Sequence, residues 1–113
     1  MRIRNLTPHP IILVGPNNES ITLQPDPEGP ARVEIRRIPD GEVAVDGAGW
    51  SIPVSRTEVA SPASLPPKEP GVLLLVSRAV AEANPERDDL VFVDLTVRDS
   101  QGRIIGAKAL ARI

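Results

Sequence analysis

The chain is 113 residues long, 41% hydrophobic and 25% charged, with 13 Pro, no Cys, no Tyr and one each of His, Trp and Phe. That length fits a single core. The missing cysteines exclude a disulfide scaffold, a thiolate nucleophile, an iron–sulfur cluster and a cysteine-built zinc site, and one histidine and two aromatics leave no multi-histidine centre and no base-stacking platform. A formal net charge of −2 disfavours a phosphate-neutralising groove, so nucleic acid is not the expected partner.

The chain opens with Ile3 and then Asn5-Leu6-Thr7-Pro8-His9-Pro10, where the two prolines forbid a helix and hold Thr7 and His9 extended. Ile11–Val14 is β-branched and stops at Gly15-Pro16-Asn17-Asn18, and residues 20–24 then alternate around Ile21 and Leu23, which predicts a hairpin. Residues 25–31 are a loop by composition. In 32–36 the alternation predicts a strand with Val33 and Ile35 turned inward. Pro39-Asp40-Gly41-Glu42 predicts a turn, Val43–Val45 a strand, and Asp46–Gly49 a second turn. Trp50, Ile52 and Val54 share one strand face, and Pro53 restricts that strand to an edge or a bulge.

Residues 61–71 hold four prolines and are expected to form a stiff surface crossing, with Pro66-Pro67 favouring polyproline geometry. The unbroken run Val72–Val76 predicts a buried strand. Ser77–Asn84 predicts a short helix with Ser77 as its cap and Pro85 as its stop. Residues 90–97 alternate around Val91, Val93, Leu95 and Val97. After a turn at 98–103 the chain returns along 104–110, and the N-terminal and C-terminal strands are the candidate sheet edges. The pattern as a whole predicts a mainly β fold: a small single-domain β-barrel or sandwich-like structure of about seven to eight short strands with one short α-helix, spanning residues 1–113.

The N-terminus carries no apolar leader segment and the longest purely apolar run has five residues, so a cytoplasmic protein without membrane contact is expected. Eleven of the thirteen basic residues are arginine, which suits bidentate pairing with carboxylate or phosphate. With the many loop prolines, the arginines also suit a thermophilic host.

His9 is the one side chain that ordinarily titrates near neutrality. It sits in a rigid turn beside Asn5 and Thr7, but no nucleophile–base set accompanies it. Catalytic residues, a metal and a cofactor are therefore not expected. Ser77 and Arg78 open the helix after the buried strand, where free N–H groups can meet an anion. Arg87 and Asp88 follow the helix stop within the charged run Glu86–Asp89. Ligand or partner binding is accordingly expected at Asn5, Thr7, His9, Ser77, Arg78, Arg87 and Asp88.

The segments Asn5-Leu6-Thr7-Pro8-His9-Pro10-Ile11, Ile52-Pro53-Val54, Leu65-Pro66, Val76–Ala81, Arg87-Asp88-Asp89, Arg98-Asp99 and Gly102–Gly106 occur in an order that resembles a family of small phage- and prophage-associated proteins opening on an NLTPHxI-like motif. The resemblance covers nearly the whole chain. It implies a phage setting and brings no established activity. The chain departs from the family at Leu73-Leu74-Leu75, where an aromatic is usual, and at Thr57-Glu58-Val59, where a glycine is usual. Both departures count against an aromatic-lined pocket.

Three functions compete on this basis. The leading one is a phage-associated accessory or binding protein that engages a host or phage protein, or a small anionic ligand, and modulates a host factor. The second is a minor virion or capsid-decorating component, with homo-oligomerisation and virion localisation. The third is a small nucleotide-processing hydrolase using His9 with Asp88 or Asp89.

Overall fold

A computed structural model describes residues 1–61 and 64–113. Eight strands and one helix run in the order β1 (Arg2–Asn5), β2 (Ile11–Val14), β3 (Ser20–Leu23), β4 (Glu34–Ala44), β5 (Ser51–Ser61), β6 (Val72–Leu75), α1 (Arg78–Ala83), β7 (Leu90–Arg98) and β8 (Ile104–Ala111). The fold is the mainly β, one-helix barrel that the strand pattern predicts. Six strands form a sheet in the order β1-β6-β7-β8-β2-β3, and a parallel bridge from Asn5 to Pro25 brings the end of β3 back to β1, so the sheet curls almost shut. The remaining two strands pair only with each other.

The hairpin of β2 and β3 pairs Ile11 with Leu23 and Val14 with Ser20. The apolar run in β6 lies between two parallel neighbours, β1 and β7. Successive residues of a strand face opposite sides, which is why a continuous run is needed here. Leu74 and Val76 join Leu6, Val80, Ala81 and Leu90 in the cluster beneath the helix. Leu75, fully buried and outside that cluster, faces the other way.

Two turns of helix would not persist alone in water. This one is held by its buried face, Val80 and Ala81, and by its cap, with Ser77 Oγ accepting from Val80 N at 3.3 Å. At its end the Asn84 side-chain amide donates to the Val80 carbonyl at 2.9 Å.

Several expectations are corrected. The C-terminal strand is not an edge: β8 pairs with β7 on one side and β2 on the other. Gly106 makes that second pairing possible, because a Cβ there would lie 3.1 Å from the Ile12 carbonyl. Leu95 breaks the alternation of β7. It adopts φ 46° and is 64% exposed, with Asp94 Oδ1 accepting from its own N–H. Pro39–Glu42 is not a turn between strands but a bulge inside β4, where Asp40 and Gly41 stand opposite Val54 and Gly41 takes φ 83°. Ile35 is not turned inward; it is exposed, and of that predicted strand only Val33 packs against the core.

The consequence is a long two-stranded ribbon, β4–β5, that extends away from the barrel. The radius of gyration is 18.2 Å and the molecule measures 55 × 38 × 23 Å, whereas a compact chain of this length would have a radius near 13 Å. Within the predicted proline-rich crossing, Ser61 belongs to β5, residues 62 and 63 lie outside the described residues, and 64–69 carry no regular structure. Leu65 anchors the crossing by packing against the core. No helix among the described residues is long and apolar enough to cross a membrane.

Candidate functional site

Of the residues singled out from sequence, Asn5, Thr7 and His9 come together in one knot. Asn5 is 2% exposed. Its amide donates to the carbonyls of His9 at 2.8 Å and Leu23 at 2.9 Å, and its Oδ1 accepts from Thr7 N at 3.0 Å and Thr7 Oγ1 at 2.6 Å. The Thr7 hydroxyl also lies 3.0 Å from the His9 carbonyl, but its single proton serves the shorter contact. His9 thus contributes its backbone, while its ring lies on an exposed residue. The knot sits where β1 meets the end of β3, and it closes the barrel.

A neighbouring ion cluster binds the same seam. Arg4 reaches Asp26 through Nε at 2.9 Å and a terminal nitrogen at 3.2 Å, and reaches Glu28 at 2.7 Å. The hydrogen bonds from Arg4 hold the Asp26 carboxyl below its ordinary range, and the same bonds raise the Arg4 guanidinium. Sequence reasoning did not single out this pair, because 22 residues separate its members and no local spacing betrays a contact made by sheet closure.

The post-helix charges form a second fastening. Arg87 grips Asp89 with two hydrogen bonds, 2.8 and 2.7 Å, and donates to the Pro66 carbonyl at 3.0 Å. Asp89 is 4% exposed, and the Arg87 hydrogen bonds hold its carboxyl down. Exposed Asp88 is ion-paired to Lys68. Both contacts tie the helix exit to the proline-rich crossing. Ser77 and Arg78 are at the helix start, with Ser77 engaged as cap and Arg78 bonded to Glu82 at 2.8 Å, its guanidinium 5.7 Å from the Phe92 ring centre.

Of the four cavities described, one of about 150 Å³ includes Arg87 and Asp88. None is lined by His9, Ser77 and Arg87 together. The largest, about 500 Å³, opens beside the Arg4–Asp26 cluster. Another, about 330 Å³ and mostly apolar, lies over Ile11, Ile12 and Ile105. Among the described residues there is no group of three or more His, Asp or Glu placed to hold a metal.

Acid should weaken the two ion clusters. Asp26 and Asp89 are both held below the ordinary carboxyl value of 3.8, so the unfolded chain takes up these protons first. Their contribution is complete above that ordinary value and is lost as pH falls through the folded one. Chemical denaturation at pH 7 and at successively lower pH is expected to show the midpoint falling below about pH 4. The fall should be smaller in Asp26→Asn, and an equal fall in that variant would contradict the assignment.

The surface left over is the ribbon. Register along β4–β5 pairs Ile38 with Arg56, Val43 with Ile52, and Arg36 with Glu58, and Val45 N donates to the Trp50 carbonyl. One face therefore carries Ile38, Val43, Val45, Trp50, Ile52 and Val54 in succession. Trp50 is 60% exposed and Ile52 50%. The same face ends toward the barrel in Arg36 and Arg56, which share Glu58 at 3.5 Å each. Toward the tip it is flanked by Asp40 at the bulge and Asp46 at the turn, while Glu42, opposite Pro53, lies on the other face. The shared face of Trp50, Ile52 and Val54 was legible in sequence, but nothing local said that no second layer covers it. Comparisons with protein-family models, curated proteins and solved structures find no match to this chain.

Proposed function

We propose that this chain is a non-enzymatic binding protein that docks a protein partner on the apolar face of its β4–β5 ribbon. The observation that carries this is an isolated two-stranded ribbon whose most exposed aromatic, Trp50, lies in an unbroken apolar row. Two strands alone are marginally stable in water, and a contiguous apolar patch of this kind marks an interaction surface. Trp is also the residue most enriched where binding energy concentrates.

The acidic flank of Asp40 and Asp46 opposes both an anionic lipid surface and a nucleic-acid backbone, which favours protein. Catalysis has less support. The His9 imidazole has no hydrogen-bonded partner among the described residues, and the charges near it in sequence are spent on closing the barrel. The phage setting implied by the Asn5–Ile11 opening fits an accessory or a virion role for such a docking protein.

Trp50→Glu is the direct test. An exposed substitution of this kind is expected to change folding stability by no more than about 0.5 kcal/mol, so far-UV circular dichroism and thermal midpoint should match the parent chain. Crosslinked capture from phage-bearing cells should lose its specific protein with Trp50→Glu and keep it with His9→Ala. Equal capture by parent and Trp50→Glu would remove the ribbon from the binding site.

A further inference from the structure

We infer that the occupant of the ribbon face is a second copy of this chain, arm against arm and antiparallel about a two-fold axis. This rests on the ribbon being a protein-docking surface, and names what docks there.

The ribbon is polar along its length in a way that complements itself. On the apolar face the root carries Arg36 and Arg56 around a single carboxylate, Glu58, whereas the distal half carries Asp40 at the bulge and Asp46 at the turn and no lysine or arginine. A parallel pairing would set acid on acid and arginine on arginine. An antiparallel one brings each acidic tip toward the partner's Arg56. Two-fold association requires this kind of self-complementary patch, in which each residue meets its counterpart reciprocally.

The register of the apolar row places the axis. Same-face positions run Arg36/Glu58, Ile38/Arg56, Val54 beside the bulge, Val43/Ile52, Val45/Trp50, and then the turn holding Asp46. With the axis on the Val43/Ile52 rung, Trp50 of each copy lies over Val54 of the other, and Asp46 lies across from Arg56. Trp50 then meets the bulge at Gly41, where an added Cβ would find nothing within 4 Å, so the indole has room. Other axis positions lose this match: a shift of one rung toward the tip leaves Trp50 on Trp50 and the arginines unopposed.

With that axis the overlap runs from the Ile38/Arg56 rung to the turn at Asp46, about 27 Å, a contact smaller than the roughly 800 Å² per partner of a permanent interface, so the dimer forms in a concentration-dependent way. Aligned packing of two sheets face to face is a standard arrangement for twisted strands.

The single tryptophan is a built-in reporter, because it lies on the proposed interface and outside the barrel. Sedimentation of the full chain from micromolar to millimolar concentration should give a mass rising toward twice 12.1 kDa, with Trp50 emission moving to shorter wavelength over the same range. Asp46→Arg should weaken association about tenfold, because two contacts per dimer become repulsive, and Asp46→Arg/Arg56→Asp should recover most of it. Trp50→Glu should leave a monomer.

A parent chain monomeric throughout, or a dimer indifferent to both Trp50→Glu and Asp46→Arg, would overturn the proposal. If the parent is monomeric yet Trp50→Glu still abolishes capture of a phage or host protein, the second copy is excluded while the docking surface stands. If neither property depends on Trp50, both fall.

Discussion

Asn5→Ala is expected to destabilise the chain by about 3–5 kcal/mol, more than its small change in volume suggests. Four hydrogen bonds converge on this side chain at 2.6–3.0 Å, and each is worth about 0.5–1.5 kcal/mol net. Truncation also strips the Leu23 carbonyl and the Thr7 N–H of side-chain partners at a site closed to water, and leaving a buried polar group unpaired costs about 1–3 kcal/mol. The effect concentrates at the seam because Asn5 also pairs through its backbone with Leu75 and Pro25. Asn5→Asp tests the mechanism: it preserves the acceptor, removes both donors and faces a carboxylate toward two carbonyls. It should be at least as destabilising at pH 7. Urea denaturation followed by far-UV circular dichroism measures this, since Trp50 fluorescence reports the ribbon rather than the barrel. A loss under about 1 kcal/mol for both variants would mean that the knot is incidental to closure.

Arg87→Ala is the second large effect, expected at about 3–5 kcal/mol, because it abandons a carboxylate at a position only 4% exposed. The guanidinium supplies both bonds to Asp89 and the one to Pro66, so its loss also releases the proline-rich crossing from the helix exit. Arg87→Lys should recover only part, as an ammonium lacks the planar fork that meets both carboxylate oxygens. The double variant Arg87→Ala/Asp89→Ala should be less destabilised than the two single losses summed, since removing both charges leaves neither unpaired. Additive losses in a double-mutant cycle would show that the pair is not coupled. Asp88→Ala, which breaks only the exposed pair with Lys68, should be nearly silent by the same measurement.

These expectations recast the residues that sequence reasoning proposed for binding. Asn5, Thr7, Ser77, Arg87 and Asp88 are polar positions in special local contexts, and such positions serve equally to fasten a chain and to hold a ligand. The difference lies in where their partners are. Asn5 meets Leu23, and Arg87 meets Pro66, across intervals that no local pattern spans. Asn5, Thr7, Ser77 and Arg87 direct their hydrogen bonds at the fold from which the ribbon projects, whereas Asp88 makes only an exposed ion pair.

What the sequence determined by itself is everything carried by local geometry and period. The prolines flanking His9, the glycine-proline stop after Val14, the cap at Ser77 and the break at Pro85 constrain backbone angles within a few residues, and the structure has strands and helix between them. The continuous run at Val72–Val76 likewise required cover on both faces and obtained it. Alternation, by contrast, states that two faces differ and not which of them is covered. Ile35 and Val33 alternate with charges in the same way, yet one is exposed and the other packs. Only the tertiary structure decided that β4 runs on through a bulge at Gly41, that β8 lies inside the sheet, and that Trp50, Ile52 and Val54 stand outside the barrel with no layer of the described residues over them. The reason is that burial is a property of the closed sheet. Once six strands curl to bring Asn5 beside Pro25, the barrel is nearly closed and the ribbon pairs only with itself, so an apolar face that elsewhere would be core stays exposed.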